Sequence, residues 1–174
     1  MKKKLAFITS IIFTLGISFN SYSAGKVKIE DNQLITQSKI KFDKDTADIS
    51  AGSIENLTAI KDFLNEKKYI SLVRIESHAF TSEDSVKDQN LSMKRSLALA
   101  NWFVTNGIDC KRILPVGFGE TKPIIEVGEN LLEDQITNDR VVIVVASLRN
   151  ILIGGLPADG GGLAIKDFCE TKTE

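Results

Sequence analysis

The sequence predicts a two-layer α/β sandwich with a mixed sheet, in the element order β-α-β-α-β-(α)-β. Short segments rich in β-branched residues alternate with two segments whose apolar residues recur every three or four positions, the period of an amphipathic helix. The run Val141–Val145 is apolar without interruption, which is typical of a central strand buried on both faces. The 174 residues, 43% of them hydrophobic, suit one domain with a sizeable core.

The first 23 residues have the three parts of a secretory signal peptide. Lys2–Lys4 give a positive start, residues 5–19 are almost wholly apolar, and small residues at Ser21 and Ser23 fit cleavage after Ser23. The apolar run is shorter than the roughly 20 residues that cross a bilayer, so no transmembrane segment is expected after cleavage, with a retained anchor as the alternative. No cysteine lies near the cleavage position, so lipidation is not expected. The leader therefore predicts export to the periplasm.

The predicted elements of the exported chain follow a polar lead, residues 24–38. In chain order they are the strand Ile40–Phe42, the helix Ser53–Lys67, the strand Ile70–Glu76, the polar loop Ser77–Gln89, the helix Asn90–Asn106, the strand Ile113–Gly117 and the strand Arg140–Leu148. Asn106-Gly107 favours a left-handed C-cap on the second helix. The predicted domain spans 39–148, and the glycine-rich tail 149–174 is expected to be a flexible extension.

Charge and cysteine content restrict the possible partners. Without the leader, which holds three of the 22 Lys+Arg and none of the 23 Asp+Glu, the formal net charge is −4. No basic cluster is present, so nucleic acid is not expected as a partner. Cys110 and Cys169 both lie in the exported part, where an oxidising compartment favours a disulfide that pins the tail. Two separated cysteines and one histidine lack the spacing of metal ligands, so neither a metal nor another cofactor is expected.

Catalysis is not expected either. The single histidine, His78, has no serine or cysteine nucleophile in a recognisable frame, and no zinc-binding pair of histidines or phosphate-binding glycine loop is present. The segment Gly117–Gly119 opens no helix with the glycine spacing of a nucleotide loop. These features predict a binding or structural module.

Arg95 is the most informative single residue. In the predicted second helix it lies within the first two turns, near backbone N–H groups that the start of a helix leaves without intrahelical partners. A guanidinium in that position forms a corner suited to a carboxylate. The alternative is an internal salt bridge to an acid such as Glu76, Glu83 or Asp84.

Several separated segments of the chain occur in a recognisable order. They are Ile75–His78, Asn90–Ser96, Trp102–Asp109, Gly117–Glu120 with Pro123, and Asn138–Val141. Together they resemble the OmpA C-terminal-like family, the peptidoglycan-associating domain of outer-membrane proteins, Pal lipoproteins and the MotB stators of flagellar motors. The resemblance covers residues 39–147, and it implies the same fold and a role in holding an envelope component to the cell wall.

The resemblance also implies a ligand site. The family grips the carboxylate and amine of a peptidoglycan stem-peptide diacid with an Asp that follows a His-Thr pair, an Asn and an Arg on the next helix, and an Arg near the last strand. Asn90, Arg95 and Arg140 match three of these positions, whereas Phe80 replaces the Asp. The loop before Asn90 is longer by about two residues, within ordinary loop tolerance. Asp139 stands where the family has a further Arg.

Two hypotheses follow. In the first, the protein binds peptidoglycan through Arg95, assisted by Asn90 and Arg140, with Glu83 or Asp84 replacing the missing Asp as the partner of the ligand amine. Without such a carboxylate, binding should weaken by roughly tenfold to a thousandfold. In the second, wall binding has been lost, and the domain is a structural subunit of an envelope secretion or conjugation apparatus that makes protein contacts through Phe80 and the tail.

Overall fold

A seven-stranded mixed sheet organises the protein, whose computed structural model describes residues 27–81, 84–126, 128, 130–155, 160–166 and 168–170. The predicted signal peptide lies outside these residues. The strands are β1 (Val27–Glu30), β2 (Gln33–Thr36), β3 (Ile70–His78), β4 (Ile113–Gly119), β5 (Arg140–Leu148), β6 (Ile151–Leu152) and β7 (Leu163–Ala164). The helices are α1 (Ile54–Glu66), α2 (Ser85–Thr105) and α3 (Leu131–Asn138).

The strand order is β1-β2-β5-β3-β4-β7, with β6 also paired to β5. Only β3 and β4 are parallel among these described strands, and the other pairs are antiparallel, so the sheet is mixed as predicted. β5 lies inside the sheet, and its residues Ile143–Ala146 are buried on both faces. The unbroken apolar run therefore predicted the position of this strand correctly.

One face of the sheet holds the main hydrophobic core. Leu57, Ile60 and Leu64 of α1 and Leu99 and Phe103 of α2 are buried in one cluster with side chains of the sheet, namely Val73, Ile75, Ile143 and Val145. These helical residues are spaced three or four apart, which is why the sequence pattern identified both helices. Gly107, at φ +93, follows the end of α2 as the predicted left-handed cap.

The prediction that Ile40–Phe42 forms the first strand is wrong. Phe42 forms only an isolated bridge to Ile49, and the sheet instead begins with the β1–β2 hairpin, inside the segment expected to be a polar lead. Ile40 and Phe42 are partly buried against the core without joining the ladder. Their alternating pattern therefore reflects packing, and the backbone of Lys41 is paired with the Ser53 hydroxyl.

The second helix begins five residues earlier than predicted. α2 starts at Ser85, because the carboxylate of Asp84 accepts hydrogen bonds from the backbone N–H groups of Val86 and Lys87. This is the N-cap arrangement in which a short acidic side chain satisfies first-turn N–H groups. Residues 85–89, expected in a polar loop, therefore form the beginning of the helix, which is exposed apart from buried Asp88 and half-buried Gln89.

The tail does not match the expected flexible extension over its described part. Ile153 and Gly154 both donate backbone hydrogen bonds to the carbonyl of Ala146, and β7 pairs with β4. Phe168 is 2% exposed in the main core, and Cys110 and Cys169 form the predicted disulfide. The tail thus extends the sheet beyond β4 and is anchored by an aromatic side chain as well as by the covalent bond.

Candidate functional site

The buried face of α2 carries polar side chains at its first turns and apolar ones later. Asp88, Ser92, Arg95 and Ser96 are all at most 4% exposed, and the face continues into Leu99 and Phe103. Their spacing of three or four residues places them on one side of the helix. The structure places the polar part of this face next to the segment 42–46 and the start of β5.

Arg95 is enclosed by protein groups. Its Nε donates to the carbonyl of Thr46 at 2.8 Å, its Nη1 donates to Oδ1 of Asp139 at 2.6 Å, and the guanidinium lies 4.9 Å from the ring centroid of Phe42. The residue is 4% exposed. A carboxylate, a carbonyl and an aromatic face together satisfy a buried guanidinium.

The expectation of an open carboxylate-binding corner at Arg95 is therefore wrong for this structure. Arg95 lies about 15 Å along the helix from its first residue, so it does not neighbour the first-turn N–H groups, two of which Asp84 caps. The alternative of an internal salt bridge is correct in kind, but the partner is Asp139. Glu76 instead pairs with Arg74, and Glu83 lies outside the described residues.

Acidic groups outnumber basic ones around the pair of Arg95 and Asp139. Burial raises the pKa of Asp139, Arg95 opposes that shift, and the neighbouring carboxylates Asp88 and Asp45 add to it. Both oxygens of Asp88 accept hydrogen bonds from the backbone N–H of Thr81, and its Oδ1 also accepts from the Thr81 hydroxyl. Arg95 is thus already paired with Asp139, whose carboxylate has two further acids near it, Asp88 and Asp45.

The remaining predicted ligand residues do not converge on Arg95. Asn90 is exposed on α2, five residues from Arg95 and therefore well round the helix from it. Asp84 is the N-cap, with hydrogen bonds from the helix backbone. Phe80 is 6% exposed, so it fills the interior and does not form the protein-contact surface that the second hypothesis assigned to it.

Arg140 supports a loop. Its Nη1 donates to the carbonyl of Asn138 at 2.9 Å and its Nη2 to the carbonyl of Lys122 at 3.0 Å. The amide of Asn138 completes this arrangement, because its Oδ1 accepts from Ile124 and Ile125 and its Nδ2 donates to Ile125. Burial lowers the pKa of Arg140, and Glu76 opposes that shift. Through these contacts, Asn138 and Arg140 brace the loop before α3.

His78 is buried without a described hydrogen-bond partner. It is 1% exposed, its ring stacks on Phe118 with centroids 4.9 Å apart, and no described group bonds Nδ1 or Nε2. Burial, with Arg140 and Lys122 nearby, lowers its pKa to about 3, so the ring is neutral at pH 7. Within the described residues, the ring is therefore held by stacking on Phe118 and not by a hydrogen bond.

Sequence reasoning misses the roles of four residues of this site. Asp88 falls in the predicted polar loop, although its spacing of seven residues from Arg95 fits the same helical face once the helix is extended to Ser85. Asp139 stands out only as a departure from the family pattern, and the substitution of an acid for a base is the signal for an internal pair with Arg95. The roles of Thr46 and Phe42 have no sequence signal, because their contacts with Arg95 span about 50 residues.

The described residues show neither a metal cluster nor a membrane-spanning helix. Within them, no group of three or more His, Cys, Asp or Glu side chains is arranged to hold a metal ion. No helix of this part of the chain is both long and apolar enough to cross a bilayer.

A mixed sheet with two helices on one face and a polar, buried stretch of α2 defines the class of protein as a two-layer α/β domain. Residues 41–137 match the OmpA family, and the chain belongs to that family. It is 26% identical over 104 residues to the sodium-type flagellar protein MotY of Vibrio parahaemolyticus, a match that covers 60% of this chain and 35% of MotY. The chain thus spans about a third of the length of that relative.

Solved structures share the fold. The OmpA-like domain of FopA1 from Francisella tularensis is 24% identical, with a TM-score of 0.53 over 75% of this chain and 82% of that one. The cell wall anchor of the T6SS from Pseudomonas aeruginosa is 20% identical, with a TM-score of 0.54 over 68% of this chain and 85% of that one. The predicted fold and family are confirmed.

Proposed function

We propose that this protein is an exported, non-enzymatic envelope component that associates non-covalently with peptidoglycan through its OmpA-like domain. The observation that carries the proposal is the family match over residues 41–137, together with a fold shared with a cell wall anchor. The leader, with its lysines and apolar run, supports export to the periplasm.

Binding of a stem-peptide acid at Arg95 requires a rearrangement. Asp139 holds Nη1 at 2.6 Å, so an incoming carboxylate must displace a tethered one. Asp139 is the exchangeable partner because its side chain is 30% exposed, whereas Arg95 is 5% exposed. Once displaced, Asp139 and the nearby Asp45 would supply the negative charge that an ammonium group on the ligand needs and that Phe80 cannot provide.

A second candidate function is supported by the same ion pair. If Asp139 is a permanent partner of Arg95, the ligand corner is closed, and the domain is a structural subunit of an envelope apparatus that does not bind the wall. The enclosure of Arg95 by Asp139, Thr46 and Phe42 favours this candidate. The exchange of Asp139 is the feature that separates the two functions.

Co-sedimentation with purified sacculi tests both candidates. Wild type, Arg95→Ala and Asp139→Asn are compared, and each must first give a wild-type circular dichroism spectrum. Asparagine keeps an oxygen that can accept from Arg95 but removes the competing charge. Wall binding through Arg95 predicts tenfold or greater loss for Arg95→Ala and stronger binding for Asp139→Asn.

Thr105→Ala serves as the matched control, because Thr105 is exposed at the far end of α2 from the predicted ligand residues. It should bind sacculi like wild type. If folded wild type and Asp139→Asn both stay in the supernatant, wall association is rejected and the structural role is retained.

A further inference from the structure

Most of the exposed large hydrophobic side chains in the described part of the chain lie in two places. Nine of the thirteen belong to one of two groups. The first group, here called the acidic face, comprises Ile124, Ile125, Leu131, Leu132 and Ile136 with the acids around them. The second, called the basic face, comprises Tyr69, Ile151, Leu152 and Ile153 with the bases around them. Concentrations of exposed apolar side chains of this kind mark interaction sites.

The acidic face is built on α3 and the loop before it. Leu132 and Ile136, 69% and 65% exposed, lie one turn apart on the same side of the helix. The loop is held to the helix by the hydrogen bonds of Asn138 to Ile124 and Ile125, and by Gly128 donating to Asp134. The helix and loop therefore present their aliphatic side chains from one fixed unit.

This face has charge of one sign. Its described residues, 124–126, 128 and 130–136, include three acids and no Lys or Arg. The bases that flank the segment are engaged elsewhere: Lys122 lies over the ring of Phe118, and Arg140 bonds backbone carbonyls. A second copy of the same face would be repelled, as would an anionic membrane surface.

The basic face is built on the β5–β6 hairpin. Arg149 and Asn150 form its turn at φ 48 and 67, a conformation that costs free energy in residues other than glycine. Two hydrogen bonds hold the turn, from Arg149 N to the carbonyl of Tyr69 and from Asn150 N to the Ser71 hydroxyl. The hairpin thus presents Ile151 and Leu152, 68% and 65% exposed, on a fixed backbone.

The charge of this second face is positive. Lys68 and Arg149 are exposed, and neither pairs with a described acid, while Lys67 is paired with its neighbour Glu66. The two faces lie at opposite ends of β5, because α3 leads into Arg140 and the hairpin follows Leu148. Nine residues of strand separate the two ends by about 26 Å.

We propose that the acidic face of one copy of this chain binds the basic face of another, head to tail. The apolar side chains supply the contact, and the opposite charges fix the head-to-tail orientation of the two copies. Since the two faces are different surfaces at opposite ends of one strand, the association is heterologous and repeats along the direction of β5. The small size of each face makes the contact weak, with a dissociation constant on the order of micromolar or above.

Sedimentation velocity on the full chain tests this inference, independently of peptidoglycan. One variant combines Leu132→Ser with Ile136→Ser on the acidic face, and the other combines Ile151→Ser with Leu152→Ser on the basic face. The wild-type sedimentation coefficient should rise with concentration, and the rise should diminish at high salt. Each variant alone should associate at least tenfold more weakly.

The decisive result is the mixture of the two variants. Each retains the one face that the other lacks, so the mixture should form a one-to-one dimer that cannot grow further. Val86→Ser combined with Leu163→Ser, exposed positions outside both faces, should behave like wild type. A wild type that stays monomeric into the sub-millimolar range, a mixture that stays monomeric, or an equally weakened control overturns the proposal.

Discussion

His78 shows how burial, together with nearby bases, can fix the charge of a residue. It is buried outside the main hydrophobic cluster, against Phe118, and no described group accepts or donates a hydrogen bond to its ring. Protonation would bury an unpaired cation near Arg140 and Lys122, which is why its pKa falls to about 3. The unfolded chain, by contrast, binds a proton at the ordinary histidine pKa.

This difference predicts acid sensitivity. Between the unfolded pKa and a folded pKa of about 3, the unfolded state binds one more proton, so stability falls as the pH falls. Through this residue, acidification from pH 7 to pH 5 should remove about 2 kcal/mol of unfolding free energy. His78→Phe, which keeps a ring against Phe118, should lose that part of the pH dependence in urea titrations at the two pH values. An unchanged dependence would exclude His78 as its source.

Arg95 and Asp139 form a pair in which each residue compensates the burial of the other. Removing one partner of a buried pair leaves the second charge without compensation. We expect Asp139→Ala to lower the unfolding free energy by about 3 kcal/mol, and Asp139→Asn to cost less because an acceptor oxygen remains. Urea unfolding of both variants measures the difference. Equal losses would mean that the interaction with Arg95 does not depend on the acceptor.

At the scale of elements, α2 and β4 can approach closely because glycines in the strand have no side chain. A Cβ at Gly117 would lie 2.5 Å from Cγ of Met93, 2.7 Å from its backbone nitrogen and 2.8 Å from Oγ of Ser92. The helix also bonds the strand directly, because Gly119 N donates to the Ser92 hydroxyl and the Gln89 side chain donates to the carbonyl of Gly117. The same close approach positions the buried polar face of α2.

Gly117→Ala should therefore move the helix away from the sheet. The backbone nitrogen of Met93 cannot move without the helix, so we expect a loss of about 2–3 kcal/mol, typical of overpacking. Gly52→Ala is the matched control, since a Cβ at that position would have nothing within 4 Å, and it should stay close to wild type. Thermal unfolding of both variants measures the difference, and similar midpoints for the two would contradict the close-packing argument.

At the scale of the whole molecule, the tail joins parts that are distant in sequence. The Arg74 guanidinium donates to the carbonyls of Gly154 and Gly155, β7 extends the sheet beyond β4, and Phe168 enters the main core. The disulfide Cys110–Cys169, with a sequence separation of 59, secures the end of this path. The tail is thus part of the folded unit.

Removal of the disulfide tests how far the tail depends on it. Closing a loop of this length stabilises the folded state by about 4 kcal/mol in the chain-entropy model. Cys110→Ser combined with Cys169→Ser should lower the unfolding free energy by up to that amount. It should also speed hydrogen exchange at Ile165 N, which donates to the carbonyl of Pro115. Unchanged exchange at Ile165 would show that Phe168 and β7 hold the tail without the covalent bond.

The sequence by itself determined the elements in which the local pattern of apolar residues shows how the element is buried. Periodic apolar residues identified α1 and α2, and the continuous apolar run identified β5 as a central strand, because burial against a neighbouring layer imposes a local spacing. The shared segments of the OmpA family identified the fold, and the two cysteines in a chain predicted to be exported indicated their bond.

Only the tertiary structure decided which groups pair with the buried charges and which short strands pair at the edges of the sheet. Whether Arg95 is open depends on Asp139 and Thr46, more than 40 residues away in either direction, and no local pattern encodes such a meeting. The β1–β2 hairpin and the tail read as irregular segments in the sequence because their strands are short and gain stability from pairing with distant partners. Local spacing reports which side of an element is buried, whereas the identity of the group across the contact is fixed by the fold.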